Sequence, residues 1–202
     1  ATVNLTGAAD TLSSYTVIGG ITSDIRLGQG LYTVTGGSGH DTIVAGDGNA
    51  TINGNGGQDK ILLGSGFYNV TSGGGADTIT AGAGAATIAA GAGANIIQVT
   101  SAAADTLTYS IVGGADSDVI SLGRGIFTVK GNSGSSNAGE SDLISVDSTA
   151  TANSSFLIMG GTSSKIQLGL GTAVVTGGSG DDTIIAGAGA VSYTHLTLPT
   201  IL

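Results

Sequence analysis

A nine-residue repeat dominates this chain and restricts it to folds built from stacked, equivalent units. Residues 27–98 divide without a gap into eight consecutive blocks of nine. The fourth position of every block is glycine, and the eighth position is always valine or isoleucine. The second position is glycine in seven of the eight blocks, with Asn55 as the exception. A repeat this regular predicts a solenoid, because each unit can bury its apolar side only against its neighbours.

Each block combines a turn with a short strand. The small, glycine-rich first half is typical of a turn that needs a positive φ angle or a close backbone approach. The β-branched residue at position eight stands between polar neighbours and predicts a short strand with one inward side chain. No helical periodicity appears anywhere in the sequence, so the chain is predicted to be all-β.

Composition excludes several other classes of protein. Glycine accounts for 38 of the 202 residues but does not fall at every third position, as collagen requires. Hydrophobic residues make up 40% of the chain, which is too many for a typical disordered segment. No apolar run approaches the roughly 18 residues of a membrane-spanning helix, so no membrane-spanning segment is expected. The chain begins without methionine or a visible targeting segment, which indicates a fragment.

The charge of the chain favours cations as partners. Fourteen acidic residues, thirteen of them aspartate, oppose five basic residues and give a net charge of −9. Such a surface repels nucleic acid, whose binding depends on lysine and arginine, so no nucleic-acid partner is expected. The absence of cysteine excludes disulfides and thiolate metal sites.

The blocks resemble the hemolysin-type calcium-binding (RTX) nonapeptide family, whose repeat is G-G-x-G-x-D-x-U-x. Residues 36–44 and 177–185 fit this pattern at every fixed position, while 54–62 and 72–80 each lack one glycine. Eight blocks in strict register make the resemblance specific, where a single block would be weak evidence.

The resemblance implies a right-handed parallel β-roll, a β-solenoid of short strands and glycine-rich turns in which two blocks form each turn. We expect a single solenoid over residues 1–190, with a regular core at 27–98 and degenerate repeats at 113–190. Residues 135–140 are interpreted as an inserted bulge. Residues 191–202 break the pattern and resemble a translated sequencing adapter, so they are expected not to belong to the repeat.

The two edges of such a solenoid have different compositions, because alternate blocks stack on the same edge. Position six on one edge is Asp41, Asp59, Asp77 and Asn95, and on the opposite edge it is Tyr32, Ala50, Tyr68 and Ala86. Acidic ligands therefore line one edge only. The other edge is predicted to be an apolar corner in which large and small side chains interdigitate.

The resemblance implies calcium ions along the acidic edge. Calcium takes six to eight oxygen ligands at about 2.3–2.6 Å, and turns stacked about 4.8 Å apart allow consecutive loops to share an ion. The predicted ligands are Asp41, Asp59, Asp77, Asn95, Asp118, Asp142 and Asp182, with Gly36, Gly37, Gly39, Gly54, Gly56, Gly57, Gly73 and Gly75 in the turns. The pairs Asp41–Asp59 and Asp59–Asp77 are favoured, because irregular sequence surrounds the last three aspartates. Alternatively, the aspartates only form Asx turns with local amides.

The predicted function is a non-catalytic, calcium-binding structural or adhesive segment of a large exported bacterial protein, outside the cell or on its surface. Its expected partners are calcium ions and cell-surface or matrix ligands, and it is expected to fold on binding calcium. The alternative is the repeat region of a secreted protease or lipase whose catalytic domain lies elsewhere. His40 occupies a variable repeat position, and without cysteine or a histidine partner the parts of a nucleophilic triad are missing.

A lesser alternative concerns the outer side of the sheet opposite the Asp41 strand. Its positions seven and nine are Thr33 and Thr35, Thr51 and Asn53, Asn69 and Thr71, Thr87 and Ala89. This uncharged array resembles the regular threonine arrays of solenoid ice-binding proteins. Threonine is also an ordinary residue of exposed strands, so both interpretations stay open.

Overall fold

The computed structural model shows a parallel β-solenoid of about ten turns, which confirms the predicted fold class. It describes residues 1–6, 13–99, 104–132, 141–147 and 150–194. Strands alternate along the chain between two sheets of ten parallel strands each, so that consecutive strands of one sheet belong to consecutive turns. Within these described residues, no helix has the length and apolarity to cross a membrane.

Sheet A contains the odd-numbered strands. These are β1 Thr2–Leu5, β3 Asp24–Leu27, β5 Thr42–Val44, β7 Lys60–Leu62, β9 Thr78–Ala81, β11 Ile96–Val99, β13 Val119–Leu122, β15 Asp142–Val146, β17 Ser164–Gln167 and β19 Asp182–Ile185. Sheet B contains the even-numbered strands. These are β2 Ser14–Ile18, β4 Leu31–Gly37, β6 Asn49–Gly56, β8 Phe67–Gly74, β10 Ala85–Ala92, β12 Thr108–Gly114, β14 Ile126–Asn132, β16 Ser155–Met159, β18 Thr172–Thr176 and β20 Ala190–Thr194.

The core between the sheets is built from the β-branched residues of the repeat. All eight residues at position eight are buried, with at most 1% of their surface exposed: Val34, Ile43, Ile52, Ile61, Val70, Ile79, Ile88 and Ile97. Each stacks on its equivalent in the next turn, as in the pairs Ile43↔Ile61 and Ile52↔Val70. Apolar burial is thus continuous along the solenoid axis, although the chain contains few large side chains.

The strands of the two sheets differ in length, and this corrects the prediction of one inward side chain per strand. Strand β7 has three residues and buries only Ile61. Strand β6 has eight residues and buries Ala50, Ile52 and Gly54. The sheet B strands run across the boundary between two blocks, so position six and the next position one also point inward.

Glycine at position two is favoured by close backbone approach at both edges and, at the acidic edge, also by its backbone conformation. In blocks at the acidic edge this residue adopts a positive φ, 112° at Gly73 and 74° at Asn55, a conformation that asparagine tolerates better than most residues. Close approach to the preceding turn acts at both edges, and a Cβ atom on Gly73 would lie 1.8 Å from the carbonyl oxygen of Asn55. A Cβ atom on Gly64 would lie 2.2 Å from the carbonyl oxygen of Gly46 in the preceding turn. One sequence letter therefore serves two separate physical demands.

The register of the core continues on both sides of the irregular segments. Ile97 pairs with Ile120, which pairs with Ile144, although these steps span 23 and 24 residues instead of 18. The predicted bulge at 135–140 lies outside the described residues. Strand β20 includes residues 191–194 and pairs with β18, so the described solenoid runs four residues past the expected end of the repeat. The rest of the predicted tail lies outside the described residues.

Candidate metal centre

A column of mostly carboxyl side chains lies along one edge, just before or at the start of each sheet A strand from β3 to β19. The strand register and side-chain hydrogen bonds place Ser23, Asp41, Asp59, Asp77, Asn95, Asp118, Asp142, Ser164 and Asp182 in it, in chain order. We call this column the carboxylate ladder. Its members from Asp41 to Asp142 are at most 2% exposed, whereas Asp182 near the last described turn is half-buried. All seven predicted side-chain ligands lie in this one ladder.

Hydrogen bonds tie each rung of the ladder to the preceding turn. The Oδ1 atom of each residue from Asp41 to Asp142 accepts a hydrogen bond from the main-chain amide of the previous rung, at 2.5–2.9 Å. These bonds join residues 18 to 24 positions apart in the sequence. The ladder aspartates therefore link successive turns, and these bonds are not the local Asx turns considered as an alternative.

The second oxygen of the carboxylates is the unusual feature of this edge. The Oδ2 atoms of Asp41, Asp59, Asp77 and Asp118 are buried and accept no hydrogen bond among the described residues. A buried polar atom without a partner costs roughly 1–3 kcal/mol, and more where it carries charge. Several such atoms in consecutive turns indicate that a compensating group, such as a cation, belongs beside them.

Each Oδ2 atom points towards position one of its own repeat block. A Cβ atom on Gly36 would lie 2.7 Å from Asp41 Oδ2 and 2.9 Å from the carbonyl oxygen of Gly54, in the next turn. A Cβ atom on Gly54 would lie 2.4 Å from both Asp59 Oδ2 and the carbonyl oxygen of Ser72. Position one is glycine in these two turns because the carboxylate and carbonyl oxygens leave no room for a Cβ atom.

The electrostatics of the ladder match this geometry. Burial raises the pKa of Asp59 to about 6, although the amide of Asp41 donates a hydrogen bond to it, and the charges of Asp77 and Asp41 act in the same direction as burial. Burial also raises the pKa of Asp118 to about 7, with a further contribution from the charge of Asp142. Without a cation, these carboxylates ionise only at a free-energy cost.

The donor set fits a hard cation. No three histidine, cysteine, aspartate or glutamate side chains converge on a common point in the described parts of the chain. A bound metal would therefore need backbone carbonyls and water in addition to one or two carboxylates. Such a set of oxygen donors suits calcium, which accepts flexible geometry and carbonyl ligands. Of the predicted glycines, Gly36 and Gly54 lie beside the Oδ2 atoms of Asp41 and Asp59, and Gly37, Gly39, Gly56, Gly57, Gly73 and Gly75 are at or near the turns that lead into the ladder.

The opposite edge carries an inward column of aromatic and small residues, which we call the aromatic edge. Register aligns Tyr15, Tyr32, Ala50, Tyr68, Ala86, Tyr109, Phe127, Phe156 and Ala173. Where two neighbouring turns both have an aromatic residue in this column, the rings stack with centroids 4.9–5.3 Å apart. The Tyr68 hydroxyl donates to the carbonyl oxygen of Gly46 and accepts bonds from the Gly64 and Gly66 amides at 3.2 Å. Buried polar groups are thus satisfied here by the chain itself.

Sequence reasoning missed three features of the ladder. It did not include Ser23 and Ser164, which occupy rungs in the same column. It ranked Asp118 and Asp142 below the first three aspartates because of the irregular sequence around them, although the amide of Asn95 bonds to Asp118 as in the regular turns. It also overlooked the pairing of position one with the ladder residue. The recurring glycine five residues before an aspartate was the signal that could have revealed this pairing.

Comparison with known proteins agrees with this geometry. The sequence profile of the RTX calcium-binding nonapeptide repeat matches residues 35–68, 69–98, 110–126 and 169–190, just over half of the chain. No curated protein and no solved structure matches it significantly. The match confirms the predicted resemblance and identifies calcium as the ion that repeats of this kind bind. The chain therefore belongs to the family of RTX calcium-binding nonapeptide repeat proteins.

Proposed function

We propose that this calcium-binding repeat region is a non-catalytic structural or adhesive segment of a large exported protein, and that calcium controls its folding. The observation that carries the proposal is the run of buried Oδ2 atoms without partners in the carboxylate ladder. A stiff solenoid of about ten turns is suited to act as a spacer or to present a surface. Calcium ions are the first partner, and cell-surface or matrix ligands are the second.

Calcium control follows from the linkage between binding and folding. Ions that bind only the folded chain add their binding free energy to its stability. In the absence of calcium, the ladder brings ionisable carboxyl groups together in a buried column, and repulsion opposes folding. Extracellular calcium modules bind in the range of about 10⁻⁴–10⁻³ M, a range that keeps such sites empty in the cytosol. This agrees with a location outside the cell or on its surface.

Circular dichroism and thermal melting test the proposal directly. We expect about 10 mM calcium, an excess over typical extracellular sites, to raise β-content or the melting temperature strongly compared with excess EGTA. Magnesium at the same concentration serves as the matched control and should act weakly, because it demands near-octahedral geometry and gives up water reluctantly. Identical spectra and melting curves in EGTA and calcium would rule out calcium-controlled folding.

A secreted protease or lipase is the alternative source of such a repeat region, with its catalytic domain elsewhere in the protein. In this chain His40, the histidine within the described residues, is exposed and accepts a hydrogen bond from the amide of Gln58 at 2.8 Å. That contact joins two successive turns. Extending the gene sequence in both directions distinguishes the two sources, since only the alternative requires a catalytic domain.

Ice binding is a second candidate because of the outer face of sheet B. Register aligns Thr16, Thr33, Thr51, Asn69 and Thr87 in one outward column. The column loses its hydroxyl character at Leu157 and Val174. If this face binds ice, the protein shows thermal hysteresis, and Thr51→Lys abolishes the hysteresis without changing the fold. Absence of hysteresis and of ice shaping in the unmodified protein removes this candidate.

A further inference from the structure

Asn95 is the neutral rung of the carboxylate ladder within the regular repeats at 27–98. It lies between Asp77 and Asp118, and the register of sheet A and the bonds between rungs place all three in one column. Asparagine has nearly the shape of aspartate but carries an amide in place of the carboxylate. The repeat pattern placed Asn95 among the predicted calcium ligands, yet its hydrogen bonds differ from those of the aspartates.

Both polar atoms of the Asn95 side chain have a partner within the chain. The residue is fully buried. Its Oδ1 atom accepts a hydrogen bond from the amide of Asp77 at 2.9 Å, as the ladder aspartates do from their preceding rungs. Its Nδ2 atom donates to the carbonyl oxygen of Gly93 at 2.7 Å. These two partners fix the orientation of the side chain, because a backbone N–H can only donate and a carbonyl oxygen can only accept.

The aspartates on either side of Asn95 lack this second bond. Asp77 and Asp118 also accept a bond from the preceding rung through Oδ1. Their Oδ2 atoms, however, are buried and accept no hydrogen bond among the described residues. In Asn95 a donor takes the place of that second oxygen. A buried carboxylate oxygen needs a cation or a donor beside it, whereas the Asn95 rung is complete without either.

We infer that the Asn95 rung binds no calcium and divides the ladder into two independent groups of calcium sites, one from Asp41 to Asp77 and the other from Asp118 onward. This inference rests on the proposed calcium-binding function. Calcium binds oxygen ligands, and both polar atoms of the Asn95 side chain are already bonded within the chain. Within a group, consecutive turns can share an ion, so binding at one rung affects the next. A neutral rung without an ion interrupts this coupling but keeps the turns stacked.

Substitution of Asn95 tests whether its amide keeps the rung free of calcium. Calorimetric titration with calcium chloride, supported by equilibrium dialysis, measures the number of ions bound per chain. Asn95→Asp replaces the donor with a carboxylate oxygen that faces the carbonyl of Gly93, so this variant should bind at least one more ion and be less stable in EGTA. Asn95→Ser is the matched control, because Ser23 and Ser164 already occupy rungs of the ladder. Its number of ions should stay unchanged.

The reverse exchange keeps the test decisive if Asn95→Asp fails to fold. Asp59→Asn places the same amide at a charged rung, so it should lose at least one ion without losing stability in EGTA. An unchanged number of ions in Asn95→Asp, or in Asp59→Asn where that variant alone folds, overturns the inference. An equal gain of ions in Asn95→Ser and Asn95→Asp also overturns it. If the unmodified protein binds no calcium, it is the proposed function that fails.

A double-mutant cycle tests the division into two groups. Asp77 and Asp118 lie two rungs apart across Asn95, and Asp41 and Asp77 lie two rungs apart within one group, so the pairs are matched in spacing. The effects of Asp41→Asn and Asp77→Asn on calcium affinity should be non-additive, whereas those of Asp77→Asn and Asp118→Asn should add. Coupling across Asn95 as strong as that within the group, or no coupling in either pair, overturns the division.

Discussion

The carboxylate ladder and the aromatic edge are built from the same nine-residue repeat, yet they stabilise the solenoid in opposite ways. At the aromatic edge, stacked rings and the bonds of the Tyr68 hydroxyl satisfy the buried groups within the chain. At the ladder, each aspartate uses one oxygen to bind a neighbouring turn, and Oδ2 atoms such as that of Asp59 stay without a partner. The first edge satisfies its buried groups within the chain, and we propose that a cation stabilises the second.

The difference teaches how a solenoid can respond to a ligand without a separate regulatory domain. Stacked aromatic pairs contribute about 0.5–1.5 kcal/mol each beyond their burial, independently of calcium. Buried unpaired oxygens cost about 1–3 kcal/mol each, and their number grows with the number of turns. Every turn contains a part of both edges. The free energy that a turn adds to folding is therefore the stabilisation at its aromatic edge less the cost of unpaired oxygens in the ladder.

The largest expected effect separates two rungs of the ladder. Asp59 lies between Asp41 and Asp77, so we expect its carboxylate to contribute to two ions. Asp59→Ala should weaken calcium binding more than Asp41→Ala, with a loss on the order of several kcal/mol spread over coupled sites. Titration calorimetry measures both. Equal losses would mean that Asp59 serves no more ions than its neighbour.

A smaller effect is expected at the aromatic edge. Tyr68→Ala should leave the number of bound calcium ions unchanged but cost about 2–4 kcal/mol of stability, because it empties a buried packing position. Tyr68→Phe is the control that keeps the ring and removes only the hydroxyl bonds, at about 1 kcal/mol. Denaturant unfolding in saturating calcium measures these losses. A loss of bound calcium in Tyr68→Ala equal to that in Asp59→Ala would contradict the assignment of metal binding to one edge.

The pH dependence sharpens the comparison further. Burial raises the pKa of Asp59 from 3.8 to about 6 and that of Asp118 to about 7. Without calcium the folded chain therefore holds more protons than the unfolded chain between about pH 4 and 7, and its stability falls as the pH rises through this window. In saturating calcium the stability should instead rise with pH, because ions and protons compete for the same carboxylates and higher pH favours the ions.

Urea unfolding at several pH values, in EGTA and in saturating calcium, measures the slope of the free energy of unfolding against pH in each condition. Asp59→Asn is the matched control, since Asn95 shows that an amide can hold a rung. In EGTA, the free energy of unfolding of this variant should depend less on pH than that of the unmodified protein. Slopes of the same sign with and without calcium would show that the ladder carboxylates are not the groups that bind the ion.

The local pattern of the sequence determined much of this protein. The repeat predicted a solenoid, the family resemblance implied parallel strands, and the Val and Ile at position eight predicted the core. Position six predicted that acidic residues such as Asp59 and aromatic residues such as Tyr68 lie on opposite edges. These features follow from sequence because each depends on a period of nine or 18 residues, and the folded chain keeps that period over 27–98.

The remaining features depend on which residues stack in space. Steps of 23 and 24 residues bring Asp118 and Asp142 into one ladder with Asn95, because the hydrogen-bonded register of the sheets, and not the count of residues, sets what lies above what. The hydrogen bond from the Ser72 hydroxyl to the carbonyl oxygen of Ala90 is likewise a contact between turns. The stacking of turns also buries Oδ2 atoms such as that of Asp59 without giving them a partner. A pattern along the chain specifies which side chains point inward, and only the stacked turns decide which inward groups meet.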